Sequence, residues 1–110
     1  MPEGSGRALA CPVVQRLARL GVPVLFVAQY DRTVWTNGQQ YEARQHDEAE
    51  RVLACASAAG FATFDSFETV KNAIAARGMD ALYLVGHHSA EGNRLMASEI
   101  ARQLRRHKLL

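Results

Sequence analysis

The run Val22-Pro23-Val24-Leu25-Phe26-Val27-Ala28 is short, continuous and apolar. Apolar text without alternation predicts a strand buried on both faces, the habit of parallel sheets. Pro23 sits near its start, where a missing N–H is tolerated. Such a strand needs neighbours, and this chain offers few. Phe61-Ala62-Thr63-Phe64 is a second expected strand, and Ala81 to Val85 is a short extended stretch.

Helical text fills the intervals. Val13, Val14, Leu17, Ala18 and Leu20 recur at helical spacing after Pro12, which suits a first helical position, and Gly21 supplies a stop. Tyr41 to Ala59 reads as a charged, alanine-rich helix whose apolar positions are Ala49, Val52, Leu53 and Ala56. Asp65 to Glu68 fits a D-x-x-E capping box opening a helix over 66–77, which Gly78 ends. Ser89 caps a last helix over 90–106, with Leu95, Met96, Ile100 and Leu104 inward. Residues 29–40 form a long loop with a turn signal at Asn37-Gly38. Alternating elements of this kind predict a three-layer α/β/α arrangement with a mainly parallel sheet. With two or three strands the sheet is incomplete, and the chain reads as part of a larger fold. A flexible N-terminal segment is expected over residues 1–11, with the α/β portion over 12–110.

Composition narrows the function classes. The 110 residues allow one domain, and 48% hydrophobic with 22% charged residues is the profile of a folded chain. Thirteen Lys and Arg against eleven Asp and Glu leave a net charge of +2, which excludes a nucleic-acid binder driven by charge. The basic cluster Arg102, Arg105, Arg106 and Lys108 falls at the end of the last helix, where cations favour the helix dipole. No apolar run is long enough to span a membrane, and no secretory signal is visible at Met1 to Gly6, so the default location is the cytoplasm. Cys11 and Cys55 form no metal spacing; two buried free thiols in a reducing cytosol are expected there, with a disulfide between them as the alternative.

Chemistry concentrates in Leu82-Tyr83-Leu84-Val85-Gly86-His87-His88-Ser89-Ala90-Glu91-Gly92-Asn93-Arg94-Leu95-Met96-Ala97. A histidine ends an extended segment, a hydroxyl cap comes next, and an amphipathic helix then begins. A general base needs this kind of anchorage, because proton transfer demands fixed orientation within hydrogen-bond reach.

This segment resembles the last block of the SGNH, or GDSL-type, ester hydrolases. His87-His88-Ser89-Ala90-Glu91-Gly92 matches their His-x-Ser-x-x-Gly element, and the helix over 90–106 matches their C-terminal apolar helix. The resemblance makes His87 the equivalent of the catalytic histidine, with His88 as fallback. Upstream, GVPVLFVAQY is similar to a late strand of that fold and GFATFDSF to its last main strand. It covers roughly residues 12–106, of which only 87–97 is specific. It implies a flavodoxin-like fold and a small-molecule or glycan acyl ester as substrate. It also implies frequent secretion or attachment to the cell envelope, and no cofactor.

Two departures stand beside it. The family's acid precedes the histidine by two or three positions, where this chain has Val85 and Leu84; Asp80 is the nearest upstream acid. The nucleophile and oxyanion blocks of the family are absent. Phe64-Asp65-Ser66-Phe67 mimics a nucleophile elbow without its glycine, and the capping-box reading is taken there. The expected function is therefore the C-terminal portion of an ester hydrolase, inactive alone. The rival is a non-catalytic α/β module that oligomerises through exposed strand edges. Expected partners are a complementary N-terminal half-domain or a second copy. No metal site is expected: His87 and His88 point oppositely on extended chain, and His46 and His107 read as solvated helix residues. Tyr30 and Trp35 flank the long loop and read as cover for the sheet edge. Arg44, Asp47, Glu48 and Arg51 read as a solvated helix face.

Overall fold

Among the described residues, two four-residue strands make up the parallel sheet. In the computed structural model, which describes residues 5–110, β1 (Leu25–Ala28) lies beside β2 (Ala62–Asp65), in a register that sets Leu25 opposite Ala62 and Ala28 opposite Asp65. The elements before and between them are α1 (Ser5–Ala18), α2 (Arg32–Thr36) and α3 (Gln39–Ala58). After β2 come α4 (Phe67–Arg77), α5 (Met79–Leu82), the antiparallel pair β3 (Tyr83–Leu84) and β4 (His87–His88), and α6 (Ala90–Arg106). The chain is a mixed α/β fold.

Every residue of β1 is half-buried, not enclosed on both faces as expected. Among the described residues β1 pairs only with β2, so one edge of each strand is open. Successive strand residues point to opposite faces. Accordingly Val27 packs against the cluster of Val70, Ala73, Leu82, Tyr83 and Met96, while Ala28 packs against Tyr30, Val34 and Phe67. The chain is a slab of 41 × 38 × 19 Å with a radius of gyration of 14.9 Å. A compact chain of this length has about 13 Å, so this one is spread flat.

Several boundaries move for local reasons. Helix α1 begins at Ser5 instead of near Cys11, so Pro12 lies inside it; residues 1–4 of the expected N-terminal segment lie outside the described residues. Of the expected inner face of α1, Val14 is buried, whereas Leu17 is 36% exposed, Val13 53% and Leu20 66%, because α1 packs chiefly against α3 along one side. Cys11 and Cys55 are joined in a disulfide with Cα atoms 5.4 Å apart, where separate thiols were expected. Sequence distance hid a pairing that the α1–α3 packing creates. Closing a loop between residues 44 positions apart removes chain entropy worth about 4 kcal/mol. The long loop contains α2, capped by Asp31, whose carboxylate accepts from Thr33 N at 2.9 Å and from the Thr33 hydroxyl. The stretch 81–85 is not one strand: α5 occupies Met79–Leu82 and hands over to β3.

The final helix is as expected, and its start is tightly built. Ser89 Oγ donates to Ala81 O at 2.6 Å and accepts from Gly92 N at 3.1 Å, while Ser89 N donates to Leu82 O at 2.9 Å. A Cβ at position 92 would run into the Leu82 carbonyl oxygen and lie 3.2 Å from His88 Cδ2. Alanine ordinarily strengthens a helix over glycine. Here Gly92→Ala is expected to lower unfolding free energy by about 1–3 kcal/mol through overpacking. Urea denaturation of the variant checks this, and equal or greater stability would refute the tight approach.

Candidate functional site

The β3–β4 hairpin presents two histidines in opposite senses. Val85 and Gly86 make its turn, with Gly86 at φ +88°, the left-handed position a two-residue turn of this kind requires. Tyr83 pairs with His88 and Leu84 with His87. Tyr83 is buried, and the His88 ring stacks on it at 4.7 Å with planes 27° apart. His87 faces solvent. Its Nδ1 lies 3.0 Å from the His88 carbonyl oxygen. A carbonyl only accepts, so Nδ1 carries the hydrogen, and the lone pair of the neutral ring is on Nε2.

His87 and His88 line a cleft of about 550 Å³ together with Gln29, Tyr30, Asp31 and Asn93. Tyr30 and Asp31 come shortly after β1, so the cleft lies outside the carboxyl end of that strand, where open α/β sheets place ligands.

Among the described residues, no carboxylate or nucleophilic hydroxyl is set beside the His87 ring. Val85 is 88% exposed at the turn. Asp80 is ion-paired to Arg32 at 2.9 Å. Asp31 lines the cleft, but its carboxylate caps α2. Ser66 is fully buried, and its Oγ donates to Ala28 O at 2.6 Å, which ties the end of β1 to the start of α4 and removes Ser66 as a nucleophile. The expected capping box shifts as well: Asp65 Oδ1 accepts from Phe67 N at 3.0 Å, and α4 starts at Phe67.

A second constellation gathers at the same edge. Asp65, the last residue of β2, accepts from the Tyr30 hydroxyl through Oδ1 at 2.8 Å. Its Oδ2 lies 3.0 Å from His46 Nε2, and Glu50 Oε1 lies 2.8 Å from the same nitrogen. His46 is thus not a solvated helix residue: its ring stacks on Phe67 at 3.7 Å with planes 4° apart. Burial, then the Asp65 hydrogen bond and charge, push the Tyr30 phenol far above its ordinary range and keep it protonated. The i,i+4 spacing of His46 and Glu50 was visible in the text of α3. Their meeting with Asp65 depends on the packing of α3 against β2.

A polar relay joins the two constellations. Trp35 Nε1 donates to the Tyr83 hydroxyl at 3.0 Å, and that hydroxyl donates to Tyr30 O at 2.7 Å. Burial raises the Tyr83 phenol, the Trp35 N–H opposes this, and the charge of Asp31 adds to it. Tyr30 and Trp35 pack with Ala28 at the carboxyl end of β1, and Tyr30 also lines the cleft.

Compared with known proteins, the chain matches no family model, no curated protein and no solved structure.

Burial, and after it the neighbouring His87, lowers the pKa of His88, and its buried Nε2 has no hydrogen-bond partner. An imidazole with a lowered folded pKa takes up its proton more readily in the unfolded chain. Its contribution to stability is thus intact above about pH 6.5 and is lost as pH falls below it. His88→Phe keeps the stack and removes the orphaned nitrogen. It is expected to stabilise the fold at pH 7 by about 1 kcal/mol and to flatten the loss of stability between about pH 6.5 and 5. Chemical denaturation across that range checks both effects.

Proposed function

We propose that the chain is the C-terminal portion of an SGNH-type ester hydrolase, with His87 as its general base. The observation that carries this reading is the placement of His87: anchored by a Ser89-capped helix, at a cleft beyond the end of β1, with Nε2 as the lone-pair nitrogen. In that chemistry a serine hydroxyl attacks the acyl carbonyl. The Nε2 of His87 takes the hydroxyl proton and returns it to the leaving alcohol. The His88 carbonyl supplies half of what the missing acid supplies, since it sets the tautomer. It stabilises the imidazolium less than a carboxylate does, because it carries no full charge.

The serine and the oxyanion donors come from outside this chain, along the open edge of β1. There, further strands complete the three-layer, flavodoxin-like sheet. A small-molecule or glycan acyl ester is the substrate class. The Cys11–Cys55 bond favours an oxidising compartment over the cytoplasm.

Hydrolysis of p-nitrophenyl acetate tests the assignment, because an activated ester reports a basic imidazole even without serine. The chain is expected to hydrolyse it slowly, and His87→Ala to remove most of that rate, while the exposed His107→Ala leaves it intact. Equal rates for the chain and His87→Ala overturn the role of His87.

One observation favours a second reading, a non-catalytic module that self-associates. Leu9, Val13, Leu17 and Leu20 form an exposed apolar stripe on and just beyond α1, and Val22 continues it. Sedimentation velocity separates the two readings. A dimer that dissociates when Val13→Lys is introduced supports the module, and a monomer at all concentrations ends it.

A further inference from the structure

The meeting of His46, Glu50 and Asp65 is independent of the hydrolase reading and asks for its own explanation. All three offered ligand atoms lie within 4.8 Å of one another. We propose that His46, Glu50 and Asp65 form a binding site for a divalent transition-metal ion of the zinc class, with the remaining coordination position facing solvent.

Hydrogen-bond arithmetic points this way. Two carboxylate oxygens converge on one nitrogen, at 2.8 and 3.0 Å. A single N–H on Nε2 serves one of them well and leaves the other without a proton. Charge arithmetic agrees. Two carboxylates with one imidazolium carry a net negative charge, whereas two carboxylates, a neutral imidazole and a divalent cation sum to zero.

The distances from Nε2 to the two oxygens need little change. Ligand bonds of about 2.0–2.1 Å at tetrahedral angles separate ligand atoms by roughly 3.3 Å, so Nε2 and the two oxygens need open by only a few tenths of an ångström. One nitrogen with two carboxylate oxygens suits zinc or manganese over copper(I) or an iron–sulfur cluster.

The surroundings are those of a supported site. Ligating carboxylates are ordinarily held by outer hydrogen bonds. Asp65 Oδ1 is held by the Tyr30 hydroxyl at 2.8 Å and by Phe67 N at 3.0 Å, which leaves Oδ2 toward His46. The His46 ring is clamped on Phe67, and Tyr30 meets its edge at 6.3 Å. Glu50 is 60% exposed and leaves a path for the ion.

Isothermal titration of the intact chain with Zn²⁺, repeated with Mn²⁺, tests this. One ion per chain is expected, with a rise in melting temperature. His46→Gln is expected to abolish binding. Tyr30→Phe, which releases only the outer hydrogen bond, is expected to weaken it about 10- to 100-fold. Glu50→Gln, at an exposed position, keeps the test open should His46→Gln fail to fold, and it too is expected to lose affinity. The double variant His87→Ala, His88→Ala is expected to bind as the parent chain does. Absence of saturable binding of either ion overturns the site. So does binding lost with the hairpin histidines and kept in Glu50→Gln.

Discussion

Helix α6 approaches the Leu82 carbonyl so closely that position 92 admits no side chain. Much of the molecule depends on that approach. It lets Ser89 bridge Ala81 O and Gly92 N, which seats the helix and closes the hairpin at once. Met96 then reaches the buried cluster of Val70, Leu82 and Tyr83. The hairpin is two residues per strand, too short to persist alone. Its histidines hold their opposite orientations because α5 and α6 fix both of its ends.

From Tyr83 the order spreads by hydrogen bonds. Its hydroxyl receives from Trp35 and donates to the Tyr30 carbonyl, which connects β3, the short α2 and the segment just after β1. Tyr30 passes the connection to Asp65 and so to the end of β2. These groups are buried or half-buried, where a satisfied bond strengthens and an unsatisfied one is costly. The orphaned Nε2 of His88 is the exception, beside a chain of otherwise paired groups.

Both candidate sites lie at the carboxyl edge of the two-stranded sheet, one on each side of Tyr30. The cleft with His87 and the cluster with His46 share that tyrosine and little else. Parallel strands end together at one edge. The segments leaving them are therefore brought side by side, and polar groups at that edge escape the apolar layers.

Local chemistry was legible in the residues themselves. The Ser89 cap, the glycine at 92 and the amphipathic spacing through Leu104 specify α6 to the residue, because caps and helical periodicity act within a few positions. The strands at 25–28 and 62–65, and α3 before the second of them, arise from apolar runs and glycine stops. The lone-pair nitrogen of His87, the disulfide between Cys11 and Cys55, and the convergence of His46 and Glu50 on Asp65 arise from no local pattern. Each requires two segments distant in the chain, or a ring orientation set by the hairpin. The packing of α3 on β2 and of α1 on α3 brings the distant groups within bonding distance.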